Sequence, residues 1–349
     1  MSSEQQLVLL TGISAFIGSQ VAEQLLNAGY RVRGTIRQGK LQAFQQAYEK
    51  KYPGSDSIEL VVVDDIAKGD LSAALKGVDA VIHVASPLAG RASAEQTLDD
   101  ATEGTLNVLR QATAAGVSKV VVTASWGTAV TPGSSESWEG ITINQNSWGK
   151  TTREQALAKG DDVMYVYLAS KILAEKAAWG YAQSHPELDL STINPPFVYG
   201  PWPSGLPIPA PSALGTNGFI YQLIAGKSGR PLPSQLPPGP TYVDVRDVAR
   251  AHVAALKVPP NRELYKKRFL LTPGVMLWYD AVKHLAQARP ELQDRLPALP
   301  EKLELPGPIS ETDVTPAKEE LGIVEYVPWT KTLEDTVDWL LEAEKSWKV

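Results

Sequence analysis

The 349-residue chain is predicted to be an α/β protein: a doubly wound parallel sheet carrying a smaller C-terminal substrate lobe. Three observations predict this. Short β-branched runs alternate with helix-length amphipathic stretches through the first two-thirds. The first such run leads into a glycine-bounded turn and then into apolar residues at helical spacing. From Asn194 to Pro240 the sequence is crowded with Pro and Gly, too irregular for a sheet layer but long enough for a lobe facing a ligand.

Taken in order, Leu7 to Leu10, Arg31 to Ile36, Glu59 to Val63, Ala80 to Val84, Val120 to Thr123 and Leu190 to Ile193 read as buried parallel strands. Between the first two, Ile17, Val21 and Leu25 recur at helical spacing, and Gly29 is placed to end that helix. After Thr123 the rhythm breaks into a polar stretch up to about Asp162, expected as a loop over the cleft. A long helix then runs through Tyr167 and Ala178. Arg246 to Leu256 reads as a helix returning to the main body, and Thr330 to Lys345 as a final amphipathic helix. Phe269 to Leu271 is expected to be a strand of the lobe. The division this predicts is a main α/β domain over 1–193 plus about 241–258, with the lobe formed by 194–240 and 259–349.

Composition narrows the partners. Apolar residues at 43% and charged residues at 21% are those of a globular protein with real cores. A net charge of −6, with no Lys/Arg block, argues against nucleic acid. The absence of cysteine removes disulfides, thiolate catalysis and Cys-based metal sites, and no metal is expected. Met1 to Gln6 lack a basic-then-apolar signal, and no apolar run approaches the ~20 residues of a membrane span. The protein is read as cytoplasmic, as a monomer or homodimer.

In Leu7 to Gly18 a buried strand enters a small-residue turn and then a helix. The helix N-terminus offers unpaired N–H groups and a positive dipole end to a pyrophosphate, while Gly12 and Gly18 allow a tight turn and close packing. This makes Gly12, Ser14, Ala15, Phe16, Ile17 and Gly18 candidate cofactor contacts of a Rossmann-type site. Ala15 stands where a middle glycine is usual and is tolerable if its φ is negative. At the end of the second strand, Arg37 replaces the acidic residue that would bind a ribose 2′-hydroxyl. With Lys40 it favours a 2′-phosphate, hence NADP(H). Asp65, followed by Ile66, either accepts from the adenine amino group or is a plain loop carboxylate. Ala85 joins the candidate contacts, and His83 reads as a satisfied core residue.

Carbonyl reduction by a nicotinamide needs a proton donor and a group that polarises the substrate oxygen. Tyr167 and Lys171, four apart on a helix, share a face, so the ammonium can draw the phenol's pKa down from ~10. Ser125, just beyond a strand, can hydrogen-bond the same oxygen. Tyr279 and Lys283 repeat the spacing, but no cofactor strand and serine precede them.

These segments occur in order with Val32 to Arg37, His83 to Pro87, Gly104 to Val108 and Tyr167 to Lys171. Together they resemble the extended short-chain dehydrogenases. Ile193 to Pro201 and Tyr242 to Ala249 narrow the resemblance to the dihydroflavonol reductase-like branch. Trp148 and the helix Lys171 to Trp179 bring it nearest the fungal NADPH-dependent methylglyoxal, aldehyde and ketone reductases. The resemblance implies a carbonyl reductase that takes an aldehyde or ketone to an alcohol with Ser125, Tyr167 and Lys171 as its triad. It also implies that Pro195 and Val198 hold the nicotinamide through backbone contacts. Ser86, Pro87, Trp126, Phe197 and Trp202 are expected to line the substrate pocket, although Trp126 facing the core is an equal alternative. Departures from the family pattern are Ala15 for glycine, Ala124 for serine and the bulky Trp126. Two rival readings are a nucleotide-sugar epimerase or dehydratase, against which Arg37 argues, and a non-catalytic NADP-sensing protein, against which the triad argues.

Overall fold

The computed structural model describes residues 5–347 apart from 88–89, 235, 238 and 262. Residues 1–4 of the N-terminal stretch read above therefore lie outside the described residues. The main body opens with β1 (Leu7–Thr11), α1 (Phe16–Asn27), β2 (Arg31–Ile36), α2 (Gln38–Lys51), β3 (Ile58–Val62), α3 (Ser72–Leu75) and β4 (Ala80–His83). It continues with α4 (Ala94–Ala114), β5 (Lys119–Thr123), β6 (Thr142–Ile143), α5 (Arg153–Ala158), α6 (Val163–Ser184) and β7 (Asp189–Asn194). The remainder comprises β8 (Phe197–Tyr199), α7 (Asn217–Ile224), β9 (Tyr242–Asp244), α8 (Val245–Ala255), β10 (Arg268–Leu270), α9 (Trp278–Ala288), β11 (Glu311–Thr312), α10 (Thr315–Leu321) and α11 (Trp329–Trp347).

Seven strands pair in the order β10-β7-β5-β4-β1-β2-β3. All six pairings are parallel. Every residue of β1, β4 and β7 is buried, as a sheet covered by helices on both faces requires. The winding direction reverses between β1 and β4, so the crevice at their C-terminal ends is where such a sheet binds its ligand. No helix among the described residues is long and apolar enough to cross a membrane.

The sequence placed the strand near Phe269 in the lobe, but β10 pairs with β7 and forms an edge of the main sheet. Three residues carry no period that shows which sheet they join. The Pro/Gly-rich stretch is also more ordered than expected, since β8 pairs in parallel with β9 and α7 follows. Beyond Thr123, the expected loop contains β6, paired with β11, and α5 with a Thr152–Gln155 capping box. This stretch is tied to the C-terminal segment, because Gly140 N–H donates to the Pro308 carbonyl at 3.0 Å. Helix α8 packs across α1 and helps bury the cofactor-side core.

Candidate active site

The turn after β1 has the form its glycines require. Gly12 lies at φ +73°, and a side-chain carbon there would sit 3.1 Å from the Ala85 backbone. A side chain on Gly18 would run into the Gly12 carbonyl. Ala15 has φ −97° and ψ 165°, so its methyl is accommodated without the glycine usual there. Helix α1 has no side-chain cap, which leaves its first N–H groups and positive end for an anion. The ring of Phe16 stacks on Trp202 at 6.0 Å, and Ile17 packs against the core, so both offer backbone rather than side chain to the turn.

The Lys40 ammonium points back to the Ser14 carbonyl at 3.4 Å. Burial, then the charges of Arg37 and Arg91, hold its pKa below the ordinary lysine value. Arg37 is exposed at the N-cap of α2, while Arg91, whose charge Lys40 feels, donates to the Ser212 carbonyl at 3.3 Å. Arg91 was not found from the sequence, because nothing in its spacing links the loop after β4 to the end of β2. Asp65 turns its Oδ1 onto its own turn, accepting from Ala67 N–H at 2.9 Å and Lys68 N–H at 3.3 Å. The Ile66 carbonyl is held by the Asn107 amide at 2.9 Å.

Thr11 Oγ1 lies 2.8 Å from His83 Nδ1 and accepts from Val84 N–H and Ala85 N–H at 3.1 Å each. Burial and then the Lys171 charge push the His83 pKa down to about 3. His83 is therefore neutral, and it anchors the strand end rather than moving protons.

Helix α6, capped by Asp162, carries Tyr167 and Lys171. The Lys171 ammonium donates to Ser86 Oγ at 2.6 Å and lies 5.5 Å from the centroid of the Tyr167 ring. Ser86, expected in the substrate pocket, is therefore also a partner of the lysine. Ser125 opens a 3-10 turn over Trp126–Ala129, and the Leu168 side chain of α6 packs over Gly127 in that turn. Ser125 Oγ accepts from Gly127 N–H at 3.1 Å. Trp126 N–H donates to the Pro195 carbonyl at 2.8 Å, which brings the segment of Pro195 alongside the serine turn. Val198 is buried in β8. The structure thus assembles the serine turn, α6 and the segment after β7.

The expected lowering of the phenol pKa by the ammonium is not met, because burial raises the Tyr167 pKa. Burial lowers Lys171 to about 8. The consequence is a phenol protonated throughout the neutral range and a lysine that loses its charge in mildly alkaline solution. For the free enzyme, kcat/KM for NADPH is expected to fall as pH rises through about 8. A profile flat through that range would show that the charge of Lys171 is not needed.

Two residues expected in the substrate pocket face elsewhere. Trp126 is 6% exposed, packs with Val130, Ile143 and Leu270, and donates from Nε1 to Thr312 Oγ1 at 2.9 Å. Trp202 is sandwiched between Phe16 and Trp339 in the core beneath α1. The Trp126 indole combines an apolar layer with an acceptor at its edge, Thr312 of the C-terminal segment, whereas Trp202 is held by ring stacking alone. Phe197 is half-buried against Phe219, and Pro87 is half-buried beside Ser86. Trp126→Ala is expected to cost about 3–5 kcal/mol of stability in urea unfolding and to leave the relative kcat/KM across a size series of ketones unchanged. A shift toward bulky ketones would return the indole to the cleft.

The fold and this set of groups define an extended short-chain dehydrogenase on a dinucleotide-binding sheet. The chain belongs to the NAD dependent epimerase/dehydratase family, whose family model matches residues 8–266. Ketoreductase azaE of Aspergillus niger is 35% identical over 336 residues, covering 93% of this chain and 94% of its own. Aldehyde reductase 2 of Sporidiobolus salmonicolor is 33% identical over 283 residues, 79% of each chain. The crystal structure of Gre2 from Candida albicans in complex with NADPH superposes with a TM-score of 0.83 at 29% identity, covering 97% of this chain and 99% of that one.

Proposed function

We propose that this NADPH-dependent carbonyl oxidoreductase reduces a small or medium-sized aldehyde or ketone to an alcohol, with Tyr167 as proton donor. The observation that carries the reading is the juxtaposition at the ends of β1 and β4. An uncapped helix N-terminus with Lys40 at the Ser14 carbonyl stands on one side, and Lys171 with Tyr167 on the other. The ketoreductase and aldehyde reductase relatives and the NADPH complex of Gre2 support it. The residues fit the cofactor. The N–H groups of Phe16, Ile17 and Gly18 would hold the pyrophosphate, and Arg37 and Lys40 the 2′-phosphate. When bound, the cofactor supplies a hydride.

The protein's own groups handle the substrate oxygen. Ser125 Oγ already accepts from Gly127 N–H, so its hydroxyl proton is available to a carbonyl oxygen. Tyr167 donates the proton that completes the alcohol, and its raised pKa keeps that proton in place until charge develops on the oxygen. Lys171 supplies positive charge beside the phenol and holds the ribose. The lobe of 194–240 and 259–349, less β10, would set substrate range. A cytoplasmic site of action fits the cysteine-free sequence.

The test follows NADPH absorbance with a panel of α-dicarbonyls, aldehydes and aryl ketones. Consumption with at least one class is expected. None across the panel, with NADPH binding intact, would favour the NADP-sensing reading instead.

A further inference from the structure

Behind the serine turn lies a charged cluster that the reaction does not consume. Arg268 is fully buried, and its Nε donates to Glu175 Oε1 at 2.9 Å. Nη1 donates to the carbonyls of Gln145 and Ser147 at 2.8 and 2.7 Å. Nη2 donates to Thr128 Oγ1 at 2.8 Å and approaches Glu175 Oε2 at 3.4 Å. All five guanidinium N–H groups thus have acceptors. The Trp148 ring covers the guanidinium at 3.9 Å.

Glu175 gathers the other elements. It accepts from Thr128 Oγ1 at 2.5 Å and from Thr192 Oγ1 at 2.9 Å. The amide nitrogen of Asn194 lies 2.9 and 3.0 Å from its two oxygens and 3.2 Å from the Ser125 carbonyl. Glu175 follows Lys171 by four residues on α6, one turn along the same face. One carboxylate therefore joins the helix of Tyr167 and Lys171, the ends of β7 and β10, and the turn that begins at Ser125.

Stability does not account for this arrangement. Desolvating both ions costs about what their attraction returns, and a well-packed apolar pair often stabilises as much. A fork of charge-assisted hydrogen bonds adds direction, which apolar contacts lack. We propose that Arg268 and Glu175 are positioning residues that act through Asn194 to set Ser125 against the helix of Tyr167. This rests on the reading of Ser125 and Tyr167 as the groups that meet the substrate oxygen.

The test is a double-mutant cycle on kcat, with NADPH Kd measured on each variant. Asn194→Ala and Glu175→Gln are made alone and in a Ser125→Ala background. Each single variant is expected to lose about tenfold to 10²-fold in kcat, the scale of a misplacement near 1 Å, with NADPH Kd nearly unchanged. With Ser125 already removed, the same changes should cost less than about twofold. Asn194→Ala removes no charge and so decides the matter even if Glu175→Gln fails to fold. Equal losses in both backgrounds, or NADPH affinity falling in parallel with kcat, would overturn the positioning role while leaving the reaction intact. Full kcat in Ser125→Ala would overturn the reading of the serine and this proposal with it.

Discussion

Tyr167→Phe is expected to lower kcat by about 10²–10⁴-fold while leaving NADPH Kd nearly unchanged. The ring is retained, so the packing of α6 and the position of Lys171 beside Ser86 survive the change. Only the phenolic hydroxyl and its proton are lost. The control is Tyr279→Phe. It shares the spacing to a lysine, but it sits on α9, whose buried residues pack with those of α7 and α11. Stopped-flow or steady-state kcat for both variants, with Kd from fluorescence titration, decides the assignment. Near-normal turnover in Tyr167→Phe, or a collapse in Tyr279→Phe alone, would move the active site elsewhere.

Arg37→Ala is expected to weaken NADPH by about 1.5–3 kcal/mol, roughly tenfold to 150-fold, and to leave NADH almost unaffected. The arginine is exposed at the end of β2, so removing it leaves no buried partner unpaired and disturbs little of the fold. The residual preference should come from Lys40, whose charge remains beside the turn after β1. Isothermal titration with both cofactors checks this. Equal loss for both would mean that Arg37 supports the fold of the loop rather than reading the phosphate.

Much of the site was legible because its chemistry is local. The Gly12 to Gly18 turn, the four-residue step from Tyr167 to Lys171 and the cation at the end of β2 are all short-range patterns, each forced by one element. The orientation of Ser125 was not legible. It depends on Thr128, Glu175, Asn194 and Arg268, and Arg268 lies 93 residues from Glu175 in the chain. Both Asn194 and Glu175 stood within recognised segments, yet nothing in their neighbours showed that they meet.

The same division applies to the aromatic residues. Apolar character made Trp126 and Trp202 plausible pocket walls, but direction is a property of what packs against a side chain. Trp126 is turned by Thr312 and Leu270, and Trp202 by Phe16 and Trp339, all distant in sequence.

By itself the sequence determined which segments form the first six strands of the main sheet and the glycine turn at the end of β1. β1 is apolar from Leu7 to Leu10 because both of its faces are covered, and Gly12 and Gly18 stand where a side chain would run into neighbouring backbone. The tertiary structure alone decided that β10 completes the main sheet and that the indoles face the core. It alone decided that a buried ion pair lies behind the turn of Ser125. Each of these depends on pairs of groups that meet only once the chain has closed, and such pairs impose no period on the residues around them.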